Sequence, residues 1–331
     1  MERVVSGVRP TGNIHLGNYF GAIKNFVALQ EQCETFFFIA DYHALTTHPN
    51  ASELQDRIKE TLATYLACGL NPDKTTLYIQ SHIPEIPELY LIFNMLAHLG
   101  ELERSTTFKD KVAKQQSNIN AGLLTYPVLM AVDIIIHRAT KVPVGKDQEQ
   151  HLEMTRNFVN RFNHLYETDF FPEPEAFNFN QALVKVPGLD GKGKMGKSEG
   201  ANNAVYLIED PKAIQKKVMR AVTDSGPKEK NSPVSEPVAN LFKLMELVSE
   251  PDVLNNFKED YANCSIRYGD LKKQLAQDII KFTDPLRSKI QYYLKEEDLL
   301  RSIVQKGAEK AHESAGETLS GVKKIIGLKA L

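Results

Sequence analysis

Strand-like and helical stretches alternate through the first 80 residues, and this alternation constrains the chain more than any other feature. Glu2–Ser6 has the pattern of a short strand, followed by a Pro/Gly loop at Arg9–Asn13. Leu16, Tyr19, Phe20, Ile23, Phe26 and Val27 then recur with a helical period. Thr35–Ala40 is a continuous apolar run ending in Asp41, as expected of a strand covered on both faces. Ser52 is placed to cap a helix with Leu54, Ile58, Leu62 and Leu66 on one face, stopped by Gly69 and Pro72. Thr75–Gln80 follows as a third strand. Strand–helix–strand–helix–strand implies a parallel sheet with right-handed crossovers.

Helical signals continue at about 88–99 and 127–138, then a short strand, Lys141–Val144, precedes Gly145 and a helix over about 147–165. Residues 172–204 are rich in Pro, Gly, Asn and Lys, which suggests a loop with one strand, Ala182–Val186. From about 210 the pattern is helical only. The expected architecture is an α/β domain over 1–204 and an all-helical domain over 205–331, with its last helices packing back on the first.

A chain of 331 residues buries a core without disulfides or metals. Its 40 lysines and arginines against 42 aspartates and glutamates leave a net charge of −2, so net charge announces no strongly basic nucleic-acid binder. A local basic face stays open. Cys33, Cys68 and Cys264 lack metal-ligand spacing and suit a reducing compartment. No 18-residue apolar run and no secretory leader pattern is present, so a soluble cytoplasmic protein is expected.

Ligands of open parallel sheets bind beyond the carboxyl ends of the strands. Gly7–Asn18, Asp41–His43 and Gly145–Gln148 fall there. In the first, His15-Leu16-Gly17-Asn18 opens a helix whose unpaired N–H groups and dipole suit phosphate, or it is simply a Gly-rich turn. Lys194-Met195-Gly196-Lys197-Ser198 sets two lysines three apart in a Gly-rich loop, fit for a polyphosphate or for solvent. Gly191–Ser198 also matches the P-loop pattern GxxxxGK[ST], although Glu199-Gly200-Ala201-Asn202-Asn203 is a poor start for the helix a P-loop requires. Asp133 interrupts the apolar stretch 128–136, where a carboxylate must be partnered or raised in pKa.

Together, His15-Leu16-Gly17-Asn18 and Lys194-Met195-Gly196-Lys197-Ser198 resemble the HIGH and KMSKS signatures of class I aminoacyl-tRNA synthetases. Ser6–Gly12, Gly17–Tyr19, Asp41–Ala44, Gly100–Arg104, Ala121–Ile134, Val142–Gln148 and Ala221–Ser225 sharpen the resemblance to the tryptophanyl-tRNA synthetase family, in order along essentially the whole chain. The motif serine is Gly196 here, and Val5 stands where several relatives carry an aromatic residue.

The resemblance implies a Rossmann-type catalytic domain with an all-helical C-terminal domain that reads the anticodon, a homodimer, and no membrane association. It implies activation of L-tryptophan by ATP with Mg²⁺ carried on the substrate, no protein-held metal, and transfer to tRNA(Trp). Arg9, Pro10 and Thr11 are then expected around the phosphates, His15, Gly17 and Asn18 against the nucleotide, and Gly145, Lys146 and Asp147 at the ribose, with Val184 also in the ATP site. Asp147 is alternatively a helix N-cap. Lys194 and Lys197 hold the leaving pyrophosphate within the loop Met195, Gly196 and Ser198, and Lys111 is a third cation or a solvated lysine. Asp133 is expected to accept the indole N–H, a donor with no acceptor character. Val5, Met130, Val142 and Val144 would be apolar walls, His43 and Gln148 would serve the amino-acid end or the ring, and Tyr126 would touch the ligand's ammonium or be a core tyrosine. Lys212, Lys216, Lys217 and Arg220, on the helix over 211–221, form either a phosphate-contacting face or a solvated one.

Overall fold

The computed structural model describes residues 2–114, 119–143, 145, 149–177, 185–196, 200 and 202–328, without the side chains of 107, 111 and 114. Five parallel strands, β1 (Arg3–Val8), β2 (Glu34–Ile39), β3 (Thr76–Ile79), β4 (Lys141–Val142) and β5 (Glu175–Ala176), lie in the order β3-β2-β1-β4-β5. The chain grows outward from β1 through β2 to β3, then crosses back to β4 on the other side of β1. That reversal opens a crevice at the carboxyl ends of β1 and β4.

β2 explains why the sheet is covered twice. Phe37 and Ile39 join one buried core with Val4 and Leu77, whereas Phe36 and Phe38 join another with Val5 and Tyr78. The two-residue side-chain period of a strand sends alternate residues to opposite faces.

Between β1 and β2, α1 (Leu16–Asn18) widens into a π-helical turn, Tyr19–Ile23, and continues as α2 (Lys24–Leu29). α3 (Asp41–Ala44) and α4 (Ala51–Ala67) link β2 to β3. Asn50 rather than Ser52 caps α4, accepting the Ser52 N–H at 3.0 Å, and Gly69 ends that helix at φ +107°. α5 (Glu85–Asn94) and α6 (Leu99–Arg104) replace the single helix expected over 88–99, because the backbone turns extended at His98. α7 (Thr106–Lys114) leads on toward α8 (Ala121–Ile135), which begins well before the expected start at about 127 because Asn120 caps it, and which accepts Pro127 inside. α9 (Glu149–Leu165) follows β4.

β5 lies in the stretch read as loop; a two-residue strand beside Pro172 and Pro174 has no periodic signal, and its pairing comes from β4. Of the strand expected at Ala182–Val186, residues 182–184 lie outside the described set and Lys185 and Val186 are not in a strand.

The rest is helical: α10 (Pro211–Met219), α11 (Glu236–Val248), α12 (Pro251–Ala262), α13 (Tyr268–Lys295) and α14 (Glu297–Ile326). α14 returns to the sheet edge, where Gly307 meets the β3 backbone so closely that a Cβ there would lie 1.7 Å from the Leu77 carbonyl oxygen. Among the described residues no helix is long and apolar enough to cross a membrane.

Candidate active site

The crevice is a cavity of about 420 Å³, within the range of small-molecule sites. It gathers residues from every strand end around the switch point: Val5 to Arg9 from β1, Ala40 and His43 after β2, and Val142, Pro143 and Gly145 at β4. Tyr126, Met130 and Asp133 come from α8, and His151 from α9. The π-helical turn and α2 supply Gly21, Ala22, Asn25 and Phe26, and such turns recur at functional sites.

Asp133 is the polar centre of this cavity. Its residue is 2% exposed, its Oδ2 lies 2.7 Å from His43 Nε2, and its Oδ1 accepts from Gln80 Nε2 at 2.7 Å. Burial pushes the Asp133 carboxyl above the ordinary aspartate range, the hydrogen bonds from His43 and Gln80 oppose this, and Asp41 adds to the rise. Asp41 in turn accepts the Ser81 N–H at 3.0 Å, lacing the end of β2 to the end of β3. Tyr126 places its hydroxyl 2.8 Å from His151 Nε2, and its ring stands nearly perpendicular to that of His43.

Beside the cavity lies a second cluster, built on the turn from β1 into α1. The His15 ring caps α1 by accepting the Asn18 N–H at 3.3 Å, while Asn18 Oδ1 accepts the His15 N–H at 3.2 Å. Glycine is required at position 17, since a Cβ there would sit 2.8 Å from His15 Nδ1 and 3.4 Å from the Met195 carbonyl oxygen. The amides of Leu16 and Asn18 are already engaged, Leu16 N–H donating to Val205 at 3.0 Å. Two of the first-turn amides are therefore not free for an anion.

Residues 204–207 carry the other signature to this corner. Leu207 N–H donates to the Ile14 carbonyl at 2.9 Å, and Tyr206 pairs antiparallel with His15. The loop over 186–196 folds on itself, with Met195 N–H donating to Val186 at 2.7 Å and an antiparallel bridge from Pro187 to Lys194. A P-loop is entered from a strand of the sheet, which this hairpin is not. Lys194 is exposed, whereas the Met195 side chain is buried in the core, so Met195 presents backbone rather than side chain to any ligand.

The cavity thus unites Val5, Arg9, His43, Tyr126, Met130, Asp133, Val142 and Gly145 of the expected set. Pro10, Thr11, His15, Gly17, Asn18, Lys194, Met195 and Gly196 do not line it and stand in or near the neighbouring corner. Val144, Lys146, Asp147, Gln148, Val184, Lys197 and Ser198 lie outside the described residues, as does the Lys111 side chain. Gln80 and His151 were missed; neither has a local signal, although Gln80 is the last residue of an expected strand, and site residues collect at strand ends. On α10, Lys217 is tied to Glu209 at 2.6 Å and to the Ala204 carbonyl at 3.0 Å, which removes it from the basic face; Lys212, Lys216 and Arg220 are exposed.

Residues 1–284 match the family described as class I tRNA synthetases for W and Y. The tryptophan–tRNA ligase of Porphyromonas gingivalis is 59% identical over 329 residues, covering 99% of this chain and all of that protein. That of Clostridium tetani is 41% identical, covering 98% of this chain and 96% of its own. The crystal structure of tryptophanyl-tRNA synthetase from Campylobacter jejuni complexed with ADP and tryptophan has a TM-score of 0.87 at 34% identity, covering 98% of this chain and 99% of that one. A tyrosyl-tRNA synthetase from Archaeoglobus fulgidus, at 21% identity and a TM-score of 0.65, shares the fold. With both signature segments meeting beside the switch-point cavity and the likeness running end to end, the chain belongs to the tryptophanyl-tRNA synthetases, and it is a ligase of the class I type.

Proposed function

We propose that the enzyme activates L-tryptophan with ATP, releasing pyrophosphate, and transfers the tryptophanyl group to the 3′ end of tRNA(Trp), with residues 1–204 as the catalytic domain. The carrying observation is the buried Asp133 carboxylate at the wall of an otherwise largely apolar cavity. It accepts the indole N–H while His43 and Gln80 hold it, and Val5, Met130 and Val142 flank the ring. Tyr126 and Gln148 serve the ammonium and carboxylate of the amino acid.

Adenylate formation is in-line attack of the amino-acid carboxylate on the α-phosphorus. It needs positioning and stabilisation of developing charge rather than a covalent enzyme intermediate. Arg9, Pro10 and Thr11 surround the phosphates, and His15, Gly17 and Asn18 hold the nucleotide. Gly145, Lys146, Asp147 and Val184 receive the ribose and base. Lys111, Lys194 and Lys197, within the loop of Met195, Gly196 and Ser198, neutralise the leaving pyrophosphate. Mg²⁺ arrives on the ATP phosphates, where it supplies further positive charge.

Residues 205–331 read the tRNA anticodon, with Lys212, Lys216 and Arg220 available to phosphates. The exposed Leu91 of α5, Met95 at its end and Leu99 of α6 face a second copy in a homodimer. The enzyme works in the cytoplasm. Amino-acid-dependent ATP–pyrophosphate exchange, run with each of the twenty amino acids, is the test. Exchange driven by tryptophan alone is expected, and exchange driven equally by tyrosine overturns the substrate assignment.

A further inference from the structure

One buried side chain outside the cavity holds the signature loop together. Asn203 is 3% exposed. Its Oδ1 accepts the Asp190 N–H at 3.1 Å, and its Nδ2 donates to the Lys194 carbonyl at 3.4 Å. Its backbone carbonyl accepts the Leu189 N–H at 3.1 Å. The amide also fills the space above Gly188, where a Cβ would lie 2.0 Å from Asn203 Oδ1. Both limbs of the hairpin are therefore bonded to one residue. Two positions further on, the chain pairs with the other signature, Val205 accepting the Leu16 N–H at 3.0 Å and Tyr206 bridging to His15.

A loop with glycines at 188, 191, 193, 196 and 200 has much backbone freedom to lose before it holds a lysine still. Lys194 is exposed, and it makes no ion pair among the described residues. What locates it is its backbone: the bridge to Pro187 and the bond from Asn203. Misplacing a catalytic group by about 1 Å costs about a hundredfold in rate.

We propose that Asn203 is a positioning residue for adenylate formation: it bonds the Lys194 carbonyl to a segment registered against His15 and so sets the lysine's distance from the nucleotide turn. This rests on the role proposed for Lys194 at the pyrophosphate. The tryptophan cavity, none of whose lining lies in 186–203, is not part of it.

The experiment compares Asn203→Ala, Asn203→Asp, Gly188→Ala and Lys194→Ala by ATP–pyrophosphate exchange, thermal melting and tryptophan titration. Because the chain contains no tryptophan, ligand emission reports binding directly. Asn203→Ala should lower the exchange kcat by about ten- to a hundredfold, leaving the tryptophan Kd within twofold. Gly188→Ala, which displaces the same amide, should match it. Asn203→Asp keeps the acceptor for Asp190 and loses the donor to Lys194, so it should fold and still be slow. The double variant with Lys194→Ala should be no slower than Lys194→Ala alone. Parental kcat in both Asn203 variants beside a slow Lys194→Ala overturns the inference, as does full additivity in the double variant. Parental exchange in Lys194→Ala instead overturns the reading of Lys194 itself, and this inference with it.

Discussion

Gln80 donates from Nε2 to Oδ1 of Asp133 across 2.7 Å, while its own Oε1 accepts the Tyr42 N–H at 3.1 Å. Gln80 has no solvent exposure, so turning its amide would break two bonds where water cannot replace them. The Asp133 carboxylate is thereby fixed in rotation, with Oδ2 toward His43. Each carboxylate oxygen has two lone pairs, so acceptor capacity remains for a ligand donor from the cavity.

Asp133→Ala should weaken tryptophan activation by about 2–5 kcal/mol, the range for truncating a buried hydrogen-bonded charge, with Asp133→Asn between it and the parent. Analogues with oxygen or sulfur in place of the indole N–H should separate the enzymes: strong discrimination by the parent, little by the alanine variant. Equal activation of both ligands by the parent would remove Asp133 from indole recognition.

The same residue should cost stability. Burial raises its pKa in the folded state above the unfolded value, against the pull of His43 and Gln80. A group that binds its proton more tightly when folded loses stability as pH climbs from its unfolded pKa, near 4, through its folded one. Asp133→Asn should therefore unfold at higher temperature than the parent at pH 7, with the gap closing toward pH 4. A parent more stable than the variant at pH 7 contradicts this.

His137 titrates with the opposite consequence. Burial, and then the Arg3 charge, lower its pKa to about 3, and its ring is held by Tyr78 Oη at 2.9 Å and Ser314 Oγ at 3.2 Å. The unfolded chain takes up this proton near pH 6.5, so the stability it confers is complete above 6.5 and drains away down to about 3. The slope reaches about 1.4 kcal/mol per pH unit inside that window. Urea unfolding of His137→Gln between pH 7 and 4 should show a shallower acid loss than the parent, and parallel curves would exclude His137 as the titrating group.

Two glycines of α14 make a matched pair. A Cβ at Gly307 would strike the Leu77 backbone, whereas at Gly316 the nearest atom, Glu85 Oε1, is 4.0 Å away. Gly307→Ala should lower the melting temperature sharply by prying α14 from β3. Gly316→Ala should raise stability by up to about 1 kcal/mol, the helix preference of alanine over glycine. Equal effects from the two would mean that α14 does not lie against β3 as described.

In the signature loop, Lys197→Ala should slow pyrophosphate exchange by about two to three decades, the cost of one preorganised electrostatic group, with tryptophan affinity unchanged. Gly196→Ser restores the motif hydroxyl and destroys the P-loop match. It should preserve or raise exchange, and loss of ATP turnover in that variant would favour a P-loop.

What could be read from the chain alone is what short windows encode. The Phe36–Phe38 run announced a strand buried on both faces, Leu62 and Leu66 a helix with one apolar face, and Asp133 a carboxylate in need of partners, because period and polarity are local properties. The two signature segments were legible for the same reason, as contiguous residue types. Tertiary structure alone decided the rest. Gln80, His151 and Asn203 are unremarkable in their own windows. They matter because parallel strand ends converge on one edge of the sheet and because residues 204–207 pair with 14–16. β5 is two residues long and owes its existence to β4, and Lys217 turned inward because Glu209 and the Ala204 carbonyl were brought to it. Partners distant in sequence are chosen by closing the chain on itself, and no periodicity within one segment records that choice.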